Sequence, residues 1–180
     1  MSRIDKKFGV YYYKKKNPGL GTLMRRLWAP WRLKYIVSTK EKKCIFCQKS
    51  QEKEDKKNYI LLRAKTSFVM LNAFPYNNGH LLVIPFRHIC SMEQINSEES
   101  IEIMQLIKKM VKLLKEGMKP EGFNVGANLG KAAGAGIEDH IHFHIVPRWT
   151  GDYNFMPLLS DTKVIPEALG ETYRKLREKL

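Results

Sequence analysis

The segment Glu138–Trp149 reads EDHIHFHIVPRW and carries the pattern on which the fold prediction rests. It places His140, His142 and His144 at every second position, and the whole 180-residue chain has only five histidines. Successive side chains of a β-strand point to opposite faces, so a strand here puts all three imidazole rings on one face. The alternating apolar residues are then expected to face the core: Ile141, Phe143 and Ile145.

Two kinds of chemistry use histidines in this arrangement. Alternating histidines can chelate a metal ion. Alternatively, one neutral ring attacks phosphorus while its neighbours donate hydrogen bonds, since the unperturbed pKa of histidine is roughly 6.5. The preceding stretch, NLGKAAGAG, favours a phosphate substrate, because glycines let backbone N–H groups approach an anion and Lys131 adds a cation. Its glycines are Gly130, Gly134 and Gly136.

The rest of the chain supplies the other elements of one domain. SFVMLNAF and GHLLVIPF have strand composition and are separated by the turn-like PYNNG, which predicts a hairpin. Asn96 is expected to begin the clearest helix and Gly117 to end it. The apolar stripe predicted for that helix is Ile101, Met104, Ile107, Val111 and Leu114.

Further strands are predicted at GFNVGANL and HIHFHIV, a second helix at PEALGETYRKLREKL, and a solvated loop at QKSQEKEDKKNY. The order strand, strand, helix, strand, strand predicts an α+β fold: a largely antiparallel sheet with one main helix packed on it.

Composition limits the classes of function. Lys plus Arg exceed Asp plus Glu by 32 − 18, a net charge of +14, which indicates affinity for nucleic acid, phosphorylated small molecules or an anionic surface. A lysine-rich surface kept for solubility explains the charge equally well. Apolar runs such as LLVIPF are too short to cross a bilayer, and three cysteines make no disulfide framework. We therefore expect a cytoplasmic protein with no membrane partner.

The sequence resembles the histidine-triad (HIT) family, whose signature is His-φ-His-φ-His-φ-φ with φ apolar. Residues 140–146 match it fully as HIHFHIV, and the resemblance extends from about Cys44 to Met156 through LNAFPYNNGHLLVIPFRH and NLGKAAGAGIEDHIHFH. The flanking LWAPWR, CIFC and VPRWTGDYNFM are most similar to the prokaryotic branch that cleaves diadenosine tetraphosphate.

The resemblance implies a two-step nucleotidyl transfer. His142 would attack the α-phosphorus of a dinucleoside polyphosphate or nucleotide conjugate, His144 would donate to phosphate oxygens, and Asn128 would lie near the α-phosphate and leaving group. Water or inorganic phosphate would then release the nucleotide. Many family members carry Ser or Thr shortly before the triad, where this chain has Ala135-Gly136-Ile137, so backbone N–H groups are expected to replace the hydroxyl.

The resemblance also implies a nucleotide pocket. Asn72 would bind ribose hydroxyls, and His80 would support the nucleophile without contacting substrate. Lys131, Gly134 and Gly136 would bind phosphate. Three apolar residues fall where the family packs the base, although a plain core role is an equal alternative: Ile45, Phe46 and Met70.

Cys44 and Cys47, in CIFC, have a spacing suited to two thiolate ligands of one zinc ion. The spacing alone leaves zinc, a redox pair and chance open. Similar proteins complete the site with a histidine after the second strand and the first triad histidine, here His88 and His140. The resemblance thus implies one structural Zn²⁺ per chain.

We expect three regions: a basic N-terminal arm (residues 1–22), a HIT-like catalytic domain (23–160) and a C-terminal helix or extension (161–180). The resemblance also implies a homodimer. Two other enzymes remain alternatives, a nucleoside phosphoramidate or adenylyl-conjugate hydrolase and a catalytic-metal hydrolase; no carboxylate with an evident ligand spacing supports the latter, although Asp139 is adjacent. A non-enzymatic nucleic-acid-binding protein is a further alternative, based on the charge and the YYYKKK arm.

Overall fold

The computed structural model describes residues 5–7, 10–12, 44–152 and 165–180. The chain forms two compact units, residues 1–41 with 151–164 and residues 42–150 with 165–180. In the first unit, β1 (Asp5–Lys7) pairs antiparallel with β2 (Val10–Tyr12). The YYYKKK lysines of the predicted arm, Lys14, Lys15 and Lys16, and the LWAPWR segment lie outside the described residues. The predicted three-part division stays a prediction.

The second unit contains a five-stranded antiparallel sheet in the order β3-β4-β5-β7-β6. Its strands are β3 (Ile60–Arg63), β4 (Ser67–Leu71), β5 (Leu81–Pro85), β6 (Gly122–Gly126) and β7 (Phe143–Arg148). The helices are α1 (Ile45–Gln51), α2 (Asp55–Asn58), α3 (Ser97–Met118) and α4 (Leu169–Arg177), with 3₁₀ turns at Met92–Gln94 and Lys131–Ala133. The α+β prediction with one main helix is confirmed. The prediction missed β3 and began the histidine strand three residues too early.

The two faces of the sheet have separate apolar cores. On one face, α3 and α4 pack against side chains that include Leu81, Val83 and Ile145. On the other face, a smaller cluster joins Phe46 of α1 to Met70 and Leu82. Because both faces are covered, β4 and β5 are buried along their whole length.

Helix α3 begins where the sequence predicts. The side chain of Asn96 accepts a hydrogen bond from the Glu99 N–H at 2.9 Å, and Glu99 accepts one from the Asn96 N–H at 3.0 Å, which forms a capping box. The helix continues to Met118 and ends on Lys119 in the left-handed region, so the predicted end at Gly117 is wrong.

The predicted apolar stripe of α3 is wrong at its N-terminal end. Ile101 and Met104 are 60% and 57% exposed. The core contacts come instead from a stripe displaced around the helix: Ile103, Leu106, Ile107, Met110, Leu113 and Leu114.

The charged stretch QKSQEKEDKKNY does not form the predicted loop, since it contains the end of α1 and all of α2. Arg63 of β3 explains the difference. Its guanidinium donates to the carbonyl oxygens of Lys49, Ser50 and Glu52, which lie at the C-terminal end of α1, and to the carboxylate of Asp55. These contacts satisfy carbonyl groups that the helix end leaves without partners.

Within the described residues, we find no helix that combines the length and the hydropathy needed to cross a bilayer.

We expect Asn96→Ala to lower the free energy of unfolding by about 1 kcal/mol, because it removes the side-chain acceptor at the start of α3. Asn96→Ser restores an acceptor and should lose less. Urea denaturation of the three proteins measures the difference. Equal stability of the wild type and Asn96→Ala would contradict a contribution from the cap.

Candidate active site and adjacent metal cluster

The start of β7 and the three residues before it determine where the triad rings lie. His144 is paired with Leu82 of β5, and Ile145 with Leu81. Since neighbouring residues of a strand point to opposite faces, His144 lies on the sheet face covered by the Phe46 cluster, and Ile145 faces α3. The predicted core residues Ile141 and Ile145 are buried, whereas Phe143 is only partly buried.

All three triad histidines are buried, at 1% exposure for His140, 6% for His142 and 8% for His144. Burial makes the charged form of each ring costly, and it is the largest cause of a lowered pKa at all three positions. For His144, burial and then the charge of His142 lower the pKa to about 4. The rings are therefore neutral at pH 7, and the tautomer of each ring decides its chemistry.

His142 has its tautomer fixed by the backbone. Its Nδ1 lies 2.8 Å from the carbonyl oxygen of His140. A carbonyl oxygen only accepts, so Nδ1 of His142 carries the hydrogen and the lone pair of the neutral ring is on Nε2. Nε2 of His142 is thus available as a nucleophile.

His80 fixes the tautomer of His144. The backbone N–H of Tyr76 donates to Nδ1 of His80 at 3.0 Å, so this nitrogen carries the lone pair. Burial, with the charges of His144 and His142 as smaller causes, lowers the pKa of His80 to about 3, and the neutral ring must carry its hydrogen on Nε2. That Nε2–H donates to Nδ1 of His144 at 2.9 Å, which leaves the hydrogen of His144 on Nε2.

Asn72 supports the same assignment. Its side-chain oxygen accepts from the backbone N–H of Phe74 at 2.9 Å, which turns its amide nitrogen towards Nδ1 of His80 at 3.3 Å. His80 therefore hydrogen-bonds to His144, one ring away from His142, the residue that it is predicted to support. The ribose-binding role of Asn72 stays a prediction, and both polar atoms of its amide already have partners in their own loop.

Nε2 of His144 is buried and finds no hydrogen-bond partner within the described residues. A buried donor without a partner is costly, and an acceptor in the site relieves that cost. His142 and His144 have ring centroids 4.9 Å apart. The pair thus offers a lone pair and an N–H donor side by side, which is an arrangement suited to attack on a phosphorus whose oxygens need stabilising.

The glycine-rich loop before the triad is exposed over most of its length. Lys131 lies in the 3₁₀ turn, and Gly134 follows it with φ of 87°, a conformation that side-chain-bearing residues rarely adopt. Gly136 is exposed and Asn128 is partly buried. The backbone N–H groups of Ala133, Gly134 and Ala135 already donate to the carbonyl oxygens of Gly130 and Lys131. Phosphate binding by this loop stays a prediction.

The three predicted base-contacting residues do not share one environment. Phe46 and Met70 are buried in the same cluster, whereas Ile45 is 43% exposed. The Phe46 ring lies 5.0 Å from the His142 ring and 5.6 Å from the His140 ring. An apolar wall therefore adjoins His142 on the side of α1.

The four predicted metal ligands come together. Cys44, Cys47, His88 and His140 each offer one ligand atom, and these atoms all lie within 4.8 Å of one another. Nδ1 of His140 is 3.3 Å from the sulfur of Cys44 and 3.5 Å from that of Cys47, and Nδ1 of His88 is 3.4 Å from the Cys47 sulfur. Ligand atoms around a tetrahedral zinc ion, with bonds of about 2.0–2.3 Å, are separated by roughly 3.3–3.8 Å.

The protonation of this cluster also fits a cation. Nε2 of His140 lies 2.9 Å from the carbonyl oxygen of Pro85, which places the hydrogen on Nε2 and the lone pair on Nδ1, facing the sulfurs. Burial and then the neighbouring Cys44 raise the pKa of the Cys47 thiol. Cys90 is exposed and lies outside the cluster.

A family model for the HIT domain matches residues 52–151. The chain belongs to the HIT family. An AP-4-A phosphorylase of Mycobacterium tuberculosis is 37% identical over 161 residues, which cover 85% of this chain and 83% of that protein. The HIT chain also resembles an adenosine 5′-monophosphoramidase of Schizosaccharomyces pombe, at 34% identity over 71% of this chain and 93% of the relative.

Among solved structures, a zinc-bound histidine triad family protein from Mycobacterium smegmatis superposes with a TM-score of 0.61. It is 26% identical to this HIT protein, and the alignment covers 77% of this chain and 93% of that one.

Sequence reasoning missed two residues of the site, Tyr76 and Asn77. The Tyr76 ring stacks on His144 with centroids 5.6 Å apart and planes 20° apart, and it lies 4.7 Å from His80. The buried Asn77 side chain donates to the carbonyl oxygen of Pro147 at 2.9 Å. The sequence predicts only a turn at PYNNG, and no pattern within this segment indicates that its tyrosine contacts the triad.

We expect the free energy of unfolding of the second unit to fall as the pH drops from about 6.5 to about 4. The unfolded chain protonates His80 and His144 near pH 6.5, whereas the folded chain protonates them only near 3 and 4, so protons favour unfolding across that window. Each ring adds a slope of up to about 1.4 kcal/mol per pH unit. Urea denaturation at several pH values should therefore show a flatter profile for His80→Gln.

Both proteins are measured with excess chelator, so that any metal release is common to them. An identical pH slope in the wild type and His80→Gln would contradict the buried, neutral state of His80.

Proposed function

We propose that this protein cleaves dinucleoside polyphosphates of the diadenosine tetraphosphate type at the α-phosphorus, through a nucleotide bound covalently to His142. The observation that carries the proposal is the fixed pair of tautomers, a lone pair on Nε2 of His142 beside an N–H on Nε2 of His144. The name of the tuberculosis relative, an AP-4-A phosphorylase, supports the substrate class.

In the first step, Nε2 of His142 forms a bond to the α-phosphorus, and the bond from phosphorus to the bridging oxygen of the leaving phosphate chain breaks. The bridging oxygen keeps the electron pair and leaves as part of ATP. The N–H of His144 donates to a phosphate oxygen as negative charge builds up around phosphorus. The Nδ1–H of His142 stays on the His140 carbonyl, which stabilises the positive charge that develops on the ring.

In the second step, an acceptor oxygen bonds to phosphorus and the P–N bond breaks, which returns the lone pair to His142. Water as acceptor loses a proton to solvent, and AMP is released. Inorganic phosphate as acceptor releases ADP. Asn128, Lys131, Gly134 and Gly136 are proposed to hold the phosphates, Asn72 the ribose, and Phe46 and Met70 the base beside His142.

A phosphoramidate or adenylyl conjugate is a second candidate substrate. It requires the same attack by His142, and its leaving group is an amine rather than a phosphate chain. The monophosphoramidase from fission yeast supports it as an alternative.

The deciding experiment incubates the protein with diadenosine tetraphosphate, with and without inorganic phosphate, and identifies the nucleotides by chromatography. AMP plus ATP without phosphate identifies a hydrolase, and ADP plus ATP only with phosphate identifies a phosphorylase. We expect His142→Ala to lower turnover by at least about 10³-fold while nucleotide binding persists, since only the nucleophile is lost.

Equilibrium dialysis with the substrate confirms that His142→Ala still binds. ADP as the sole product without phosphate indicates cleavage at the middle of the chain and contradicts attack on the α-phosphorus, as does full activity of His142→Ala. Turnover of an adenosine phosphoramidate alone would favour the second candidate.

We also propose that Cys44, Cys47, His88 and His140 hold one structural zinc ion in a cytoplasmic, reduced protein. The ion would link α1, the segment after β5 and the segment before β7. The spacing of the ligand atoms, the lone pair of His140 directed at the sulfurs, and the zinc-bound relative from M. smegmatis support this.

Metal analysis of freshly purified protein should give about one zinc per chain. Cys44→Ser should lose it, because one thiolate ligand is removed. Cys90→Ser is the matched control, since Cys90 is an exposed thiol outside the cluster, and it should keep the metal. Zinc-free wild-type protein, or unchanged zinc in Cys44→Ser, would contradict the site, and a Cys44–Cys47 disulfide in zinc-free protein would favour the redox interpretation.

We further propose a homodimer. Ile101 and Met104 lie one turn apart on the exposed side of α3, and Val125 of the edge strand β6 is 48% exposed. Exposed apolar residues on a helix and on an edge strand are typical of a surface that pairs with a second copy.

A further inference from the structure

The turn between β4 and β5 holds an aromatic ring against the candidate active site. The inner side of Tyr76 contacts both His80 and His144, and its backbone N–H is held by Nδ1 of His80. The ring is nevertheless 50% exposed. Tyr76 is thus anchored on one side and open on the other, at a point where the sequence has a rigid Pro75 before it.

Four rings, each in contact with the next, form a row of contacts. Phe46 lies 5.0 Å from His142, His142 lies 4.9 Å from His144, and His144 lies 5.6 Å from Tyr76. The two reactive histidines are therefore flanked by two aromatic rings, one buried at 4% exposure and one half-exposed. A substrate that fits the whole row has an aromatic group at each end and phosphates in the middle.

We propose that the open face of Tyr76 stacks against the second nucleobase, the one that leaves with the phosphate chain. The inference rests on the proposed function, and it assigns Tyr76 as the residue that distinguishes a dinucleoside polyphosphate from a mononucleotide with the same phosphates. The first base occupies the buried side beside Phe46, the α-phosphate lies at His142 and His144, and the leaving chain continues past His144 to Tyr76.

Energetics favour this use of Tyr76. Stacking of a base on an aromatic side chain is tolerant of sequence and geometry, since every base has a π-face. Tyr76 is already ordered by its backbone hydrogen bond and its two ring contacts, so little conformational entropy is lost when a base stacks on it.

The test compares two substrates that differ only in the second nucleoside, diadenosine tetraphosphate and adenosine 5′-tetraphosphate. We measure kcat/KM for both with the wild type, Tyr76→Ala and Tyr76→Phe. The wild type should prefer the dinucleoside, and Tyr76→Ala should reduce that preference by about tenfold, whereas Tyr76→Phe keeps it. The ratio cancels any effect of Tyr76 on His144 that both substrates share.

Phe74→Ala is the matched control, because Phe74 lies in the same turn and is 52% exposed; it should leave the preference unchanged. Tyr76→Leu, which keeps an apolar side chain over the histidines, replaces Tyr76→Ala if the latter does not fold. If Tyr76→Ala loses kcat/KM equally on both substrates, Tyr76 acts only through His144. That result overturns the inference while the proposed function stands. A wild type without preference also overturns it, and one that cleaves neither substrate overturns the function and the inference together.

Discussion

The hydrogen bond from Nδ1 of His142 to the carbonyl oxygen of His140 is the contact on which the site depends. It fixes the tautomer of His142, the proposed nucleophile, and its acceptor belongs to one of the four clustered residues proposed to bind a metal ion. The same residue is held twice more, by the Pro85 carbonyl at its ring and, through Ile141, by the Ile89 carbonyl at 2.7 Å. A metal ion bound to Nδ1 of His140 would therefore stiffen the group that orients His142, although it stays remote from the reacting atoms.

Polar contacts outside the site hold the segments that carry the proposed metal ligands. Arg63 ties the C-terminal end of α1 to β3, and the same helix bears Phe46 and Cys47 in its first turn. Arg87, next to His88, pairs with the almost fully buried Glu99 at the start of α3. Because each arginine donates to several acceptors at once, each fixes an orientation as well as a distance. The two guanidinium groups thus position the end of α1 and the loop that carries His88, which the apolar cores alone would leave less well defined.

The parts of the structure that follow from local rules could be predicted from sequence. Alternation at His140, His142 and His144 fixes a shared face, and Asn96 with Glu99 fixes the start of α3. The parts that were missed depend on partners distant in sequence. Arg63 donates to the carbonyl oxygens at the end of α1, and the ring of His80 hydrogen-bonds to His144. The buried stripe of α3 depends on which of its residues the sheet can cover. A charged segment or a turn has no periodicity that reveals such a partner.

The family match and the geometry answer different questions about the same four histidines. Membership explains why the rings alternate, but the tautomers explain why they have different roles. His140 donates its N–H to the Pro85 carbonyl oxygen and directs its lone pair to the sulfurs. His80 accepts a hydrogen bond from the backbone N–H of Tyr76 and donates its own N–H to His144. What these contacts leave to the substrate is a lone pair on His142 and a hydrogen on His144. The His140 carbonyl determines the tautomer of His142, and the Tyr76 N–H determines that of His144 through His80. The chemistry of the site therefore depends on the position of the main chain as much as on the identity of its side chains.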